Sequence, residues 1–167
     1  MRIGLISDTH SHLEEKVFKY FEECDEIWHA GDIGDISVLR KLEKFKPVRA
    51  VFGNIDGREV INEVPEDQIF TIEGLKVWIT HIGGYPPKYT ARIKKKLDEI
   101  NPGLFICGHS HILKVIPDRE RNLIHMNPGA AGKTGFHKIK TILRFTINNS
   151  KISDLEVIEL GNRASLK

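Results

Sequence analysis

Ile3-Gly4-Leu5-Ile6-Ser7-Asp8-Thr9-His10 starts as an apolar run and ends on two side-chain types that bind metals. An uninterrupted run of this kind reads as a strand buried on both faces, as in parallel sheets. The same grammar recurs down the chain. Ile27–Ala30 leads into Gly31-Asp32, and Val48–Phe52 into Gly53-Asn54. Val77–Thr80 leads into His81, and Leu104–Cys107 into Gly108-His109-Ser110-His111. All five runs are followed by a metal-ligand residue type. In open α/β sheets, ligands bind outside the carboxyl ends of the strands, so these scattered residues are expected to converge on one crevice. Glycine before Asp32, Asn54 and His109 lets the backbone turn sharply and approach closely.

Helical signals separate the runs. Ser11 and Glu14 fit a capping box before a helix whose inward face is Leu13, Val17, Phe18, Phe21 and Cys24. Asp35 is read as the cap of a second helix, with Ile36, Leu39, Leu42 and Phe45 on one face and Pro47 as its stop. Ile69–Glu73, Gly74 and Leu75–Thr80 predict a hairpin. Tyr89–Ile100 predicts a helix stopped by Asn101-Pro102. In the last third, Ile112–Ile116, Asn122–Met126, Thr141–Ile147 and Ile152–Leu160 read as strands. Their turn signals are Pro117-Asp118, Asn127-Pro128-Gly129 and Asn148-Asn149-Ser150. The pattern predicts an α/β unit packed on a mostly antiparallel sheet, with helices outside.

Composition bounds the possibilities. A chain of 167 residues is expected to be one domain, residues 1–167. Lys+Arg of 25 against Asp+Glu of 23 gives a charge of +2, which argues against a broad polyanion-binding face and against nucleic acid. A hydrophobic fraction of 40% is too high for a disordered chain. Cys24 and Cys107 cannot make a disulfide framework and are expected to be reduced core residues. No signal-peptide pattern opens the sequence, and no apolar run approaches the roughly 18 residues of a membrane span. The expectation is a cytoplasmic protein with no membrane contact; self-association is left open.

Asp8, His10, Asp32, Asn54, His81, His109 and His111 form a mixed nitrogen and oxygen donor set. Such a set suits two divalent ions that share a carboxylate, clamp a phosphate and generate hydroxide. A structural zinc would more often use cysteines, and both cysteines here are poorly placed. Asp8-x-His10, Gly31-Asp32, Gly53-Asn54, His81 and Gly108-His109-Ser110-His111, in that order, resemble the calcineurin-like metallophosphoesterase superfamily. The short chain is similar to its small prokaryotic phosphodiesterase branch, related in fold to a retromer subunit. The resemblance implies a four-layer α/β/β/α sandwich of two packed mixed sheets. It implies that Asp8, His10 and His111 bind one ion, that Asn54, His81 and His109 bind a second, and that Asp32 bridges them. It further implies catalytic roles for Asp32, Asn54, His81 and His109. The implied cofactors are two divalent cations, manganese foremost, with nickel, iron, zinc or cobalt as alternatives. The implied activity is a phosphodiesterase acting on a small phosphate ester by in-line attack of a bridging hydroxide. A non-catalytic scaffold like the retromer subunit and a metal-dependent nuclease are the alternatives.

One position departs from the family. Many members carry histidine after the Gly-Asn pair, as general acid or transition-state stabiliser; here it is Ile55. General acid assistance is worth roughly 10²–10⁴-fold, so diesters with good leaving groups are the expected substrates. Asp56 either orients the site or caps the segment after it. His12 is expected in a solvent-facing first turn, His29 in a buried hydrogen-bonded role, and His125 and His137 as structural or surface residues. The loop from Gly83 to Tyr89 is read as a rigid proline-rich turn before a helix; the alternative is a lid with Tyr85 or Tyr89 against an aryl group. Asn127-Pro128-Gly129-Ala130-Ala131-Gly132 resembles the family's Asn-Pro-Gly loop. Arg58, Lys88 and Lys133 are candidate phosphate contacts, and Lys94-Lys95-Lys96 a solvated helix face.

Overall fold

A computed structural model describes residues 1–163. The first sheet is built on β1 (Arg2–Ile6), β2 (Glu26–His29) and β3 (Val48–Ala50), which run parallel. Its other edge is an antiparallel pair, β9 (Ile139–Asn148) and β10 (Lys151–Asn162), giving the order β10-β9-β1-β2-β3. The second sheet has the order β4-β5-β6-β8-β7. Here β5 (Leu75–Thr80), β6 (Leu104–Ile106) and β8 (Leu123–Asn127) are parallel, and β4 (Asp67–Ile72) and β7 (Lys114–Asp118) are antiparallel edges. Both sheets are therefore mixed, and the second is not mostly antiparallel. The four C-terminal strands do not form a sheet of their own. Two join each sheet, because β9 finds the free edge of β1 and β8 that of β6.

Strand alternation divides the apolar side chains among three clusters and so fixes four layers. Ile3 and Leu5 of β1, Val77 and Ile79 of β5, Leu104 and Ile106 of β6, and Leu143 and Phe145 of β9 meet between the sheets. The opposite face of the first sheet buries Ile6, Ile27 and Ile142 beneath three helices. These are α1 (Lys16–Tyr20), α2 (Ile36–Phe45) and α3 (Arg58–Ile61). The opposite face of the second sheet buries Trp78 and Phe105 under α4 (Ala91–Ile100) through Ile93 and Leu97. Both tryptophans are fully buried with their indole donors satisfied, Trp28 on Glu26 and Trp78 on Asp67, each at 2.9 Å.

Local signals were mostly sound. Asp35 caps α2 by accepting from the Ser37 amide at 2.8 Å. Thr90 caps α4, which starts two residues later than expected, and left-handed Asn101 ends it. Glu73-Gly74 and Asn149-Ser150 close their hairpins with both residues left-handed, as a type I′ turn requires. Three details differ. The capping box at Ser11 does not form: α1 begins at Lys16, Ser11 is left-handed, and its hydroxyl accepts from the Asp35 amide. Glu14 pairs instead with Lys16 and Lys140. Pro117 and Asp118 belong to β7, and Asp118 closes the following turn by accepting from the amides of Glu120 and Arg121. The short helix α3 had no periodic signal at all. No helix among the described residues is long and apolar enough to cross a membrane.

Candidate metal centre

The loops after the parallel strands meet at one end of the two sheets. Asp8, His10 and His111 form one cluster of potential donor atoms, and Asp32, His81 and His109 another, each within 4.8 Å. In the first, His111 Nε2 lies 3.2 Å from Asp8 Oδ1 and 3.3 Å from His10 Nε2. In the second, His81 Nε2 lies 3.1 Å from Asp32 Oδ1. The other oxygen of Asp32, Oδ2, faces His10 Nε2 at 3.6 Å. One carboxylate thus addresses both clusters. Asn54 is exposed and lines a cleft of about 200 Å³ with Phe52, Thr80, His81 and Ile82.

Unusual backbone geometry aims these side chains. Asp8, His10, Asp32, His109 and His111 all have left-handed φ, between 45° and 66°. That conformation costs an L-residue roughly 1–2 kcal/mol. The burden falls on the donors themselves, because the strand must reverse within a residue or two to turn them into the crevice. Of the glycines preceding them, only Gly31 is left-handed, at φ 95°. Gly53 and Gly108 serve by close approach: a Cβ would overlap Asp32 Oδ1 at the first and Ser7 Oγ at the second.

Hydrogen bonds then select which atom faces the centre. His81 Nδ1 donates to the Ala30 carbonyl at 2.8 Å, which leaves Nε2 as the inward lone pair. Asp8 Oδ2 accepts from Ser7 Oγ at 2.6 Å and from the His109 amide at 3.1 Å. Asp32 Oδ1 accepts from the Ile55 amide at 3.1 Å. Asp56 binds the amides of Ile33, Gly34 and Gly53, so it clamps the loop after β2 to the loop after β3. Asp56 does not cap the segment after it; it holds the loop carrying Asp32 against the loop carrying Asn54. Asn127 Nδ2 donates to the Gly108 carbonyl and to Ser110 Oγ, tying the Asn-Pro-Gly loop to the His109–His111 turn.

The crevice is electronegative. Burial disfavours a charged His81, but the adjacent carboxylate of Asp32 and the charge of Asp8 outweigh it, so the imidazole pKa is raised. Burial likewise disfavours ionised Asp32, and the nearby His81 ring with the bond from the Ile55 amide still holds its pKa below the ordinary value. Two donor atoms, Asp8 Oδ1 and His81 Nε2, are buried with no hydrogen-bond partner among the described residues. Orphaned buried polar atoms are costly, and a cation would satisfy a carboxylate oxygen and an imidazole lone pair together. The residues present fit a pair of divalent ions.

Other expectations sort as follows. His29 is buried and bonds Thr9 Oγ1 and the Gly31 amide; burial depresses its pKa to about 4. His125 is buried in the second sheet, as a structural residue. His12 is partly exposed beside Glu14. Tyr89 cannot receive an aryl group, because it is buried under α4. Tyr85 packs under Lys114, whose Nζ is 4.1 Å from the ring centroid. Arg58, Lys88 and Lys133 are exposed. His137, expected as a structural or surface residue, lies beside the first cluster: its Nδ1 is 3.3 Å from His111 Nδ1. No local signal marks it, since the contact joins residues 26 apart through a loop.

A four-layer sandwich with two nitrogen and oxygen clusters across its strand ends defines a metallophosphoesterase. The chain belongs to the calcineurin-like phosphoesterase superfamily, whose domain model matches residues 1–150. It is 34% identical over 168 residues to a probable metallophosphoesterase of Methanothermobacter thermautotrophicus, across 96% of this chain and 94% of the relative. It is 29% identical over 145 residues to a phosphodiesterase of Methanocaldococcus jannaschii, across 77% of this chain and 83% of that one. Vps29 of Chaetomium thermophilum shares the fold, with a TM-score of 0.75 at 13% identity over 96% of this chain and 97% of Vps29. The chain is a phosphoester hydrolase of this metal-binding superfamily.

Proposed function

We propose that the protein is a phosphodiesterase for small organic phosphates, with Asp8, His10 and His111 holding one divalent cation and Asn54, His81 and His109 a second. Asp32 would be shared between them and, with Asn54, His81 and His109, would make up the catalytic group. The observation that carries the reading is the Asp32 carboxylate, which turns Oδ1 to His81 at 3.1 Å and Oδ2 to His10 at 3.6 Å. Bound divalent ions, manganese foremost, would supply an activated water and screen the phosphate charge. The buried carboxylates and lone-pair imidazoles pre-order that pocket. Asn54, exposed beside His81, donates its amide to a phosphoryl oxygen. Attack of the water oxygen on phosphorus would break the bond to the ester oxygen; the attacking water would lose its proton to solvent, and the departing oxygen would take one from solvent, since the Ile55 side chain has none to give.

The rim supports an apolar ester group. Ile55, Ile82 and Ile112 directly follow Asn54, His81 and His111, and are 46%, 46% and 55% exposed. Each stands beside a candidate ligand in the chain and offers apolar contact to an ester group. The test is hydrolysis of bis-aryl and alkyl phosphodiesters with added Mn²⁺, before and after chelation. Metal-dependent turnover of the aryl diester, at least about 100-fold above the alkyl one, is expected. Comparable aryl and alkyl rates would overturn the leaving-group argument. Turnover that ignores chelation and survives Asp32→Ala would overturn the function. Metal content well below one ion per chain, unrestored by added metal, would point to a binding scaffold on this fold.

A further inference from the structure

We infer that His137 is a positioning residue for the first cluster, fixing the proton of His111 so that His111 Nε2 meets the centre as a lone pair. The inference rests on the metal-centre reading above. His137 Nε2 lies 2.9 Å from the Gly132 carbonyl oxygen, an atom that only accepts, so this nitrogen carries the proton. In the neutral ring, Nδ1 is then an acceptor, and it stands 3.3 Å from His111 Nδ1. His111 Nδ1 must donate to it. That leaves His111 Nε2 unprotonated, facing Asp8 Oδ1 at 3.2 Å. Metal-binding histidines are oriented in this way by the partner of their other nitrogen.

The loop carrying His137 is fastened on both sides. Arg163 donates from Nε to the His137 carbonyl at 3.0 Å and from Nη1 to the Lys133 carbonyl at 3.4 Å. Its amide bonds the Lys138 carbonyl at 2.8 Å. Gly135, at φ 126°, lies so close that a Cβ would overlap His111 Nδ1. The two clusters therefore differ in kind. His81 is oriented by a main-chain carbonyl, which no substitution removes, whereas His111 is oriented by one side chain.

The test begins with metal-free protein carrying ¹⁵N-labelled histidine. Long-range proton–nitrogen correlation is expected to show His111 protonated on Nδ1 alone. His137→Ala is expected to mix its tautomers and weaken one of two Mn²⁺ sites by about 10–100-fold in calorimetry, leaving the other unchanged. His137→Asn, whose amide oxygen accepts the same bond, is expected to recover most of that affinity. His137→Phe, which fills the space without an acceptor, repeats the comparison should the alanine variant unfold. His111 protonated on Nε2 in the wild type would overturn the inference. So would an unchanged tautomer and unchanged Mn²⁺ affinity in the variants; either result leaves the metal centre standing. Wild-type protein that binds no Mn²⁺ would overturn the proposed function, and the role of His137 with it.

Discussion

Gly53→Ala tests how tightly the residues of the centre are packed. The added methyl would overlap Asp32 Oδ1 and the Asp32 amide, so the bridging carboxylate has to move. Overpacking of this kind costs about 1–3 kcal/mol, and weakened Mn²⁺ binding should accompany it, read by denaturant unfolding and calorimetry. Gly57→Ala is the control: nothing lies within 4 Å of its Cβ and its φ is −82°, so a loss under about 1 kcal/mol is expected, with metal binding intact. The need for small residues beside Asp32, Asn54 and His109 was legible in the sequence. Its cause was only partly so, because left-handed φ falls mainly on the donors and close approach on the glycines. His137 was illegible for a different reason: its chemistry depends on where a loop lays one ring against another.

Among the elements, β8 carries a pH-dependent liability. His125 is fully buried beneath α4, and neither ring nitrogen has a hydrogen-bond partner among the described residues. Burial depresses its pKa to about 4 from an ordinary 6.5. The unfolded chain therefore binds a proton that the folded chain refuses. Stability is complete above pH 6.5 and falls as pH drops towards 4, by about 3 kcal/mol for this group. His125→Leu should remove that share of the slope in urea unfolding between pH 7 and pH 4. His29, depressed to about 4 by the same cause, keeps a similar share. Element identity was well marked where periodicity ran long, as in α2 and the β4–β5 hairpin. At α1 only the start was misplaced, because the turn that aims His10 takes its first residues, and α3, which spans only four residues, carried no signal.

At the scale of the whole molecule, the centre sits on a scaffold that does not depend on it. None of the three apolar clusters contains a candidate donor. Chelated protein should keep its far-ultraviolet circular dichroism and lose activity. Mn²⁺ at about 100 times its dissociation constant should raise Tm by about 5–10 °C, read by calorimetric melting. The buried runs pointed to two packed sheets with helices outside and the family resemblance to four layers, but the partners of the last strands followed from neither. Which free edge β8 or β9 would take is settled by long-range packing, which a local pattern does not encode. The pairing of β1 with β9 also has a consequence for synthesis. Residues 1–111 carry every candidate donor, yet β1 remains an apolar edge until Ile139–Asn148 has left the ribosome. A stalled nascent chain ending near residue 135 should accordingly be protease-sensitive and bound by chaperones, although its metal chemistry is already written in full.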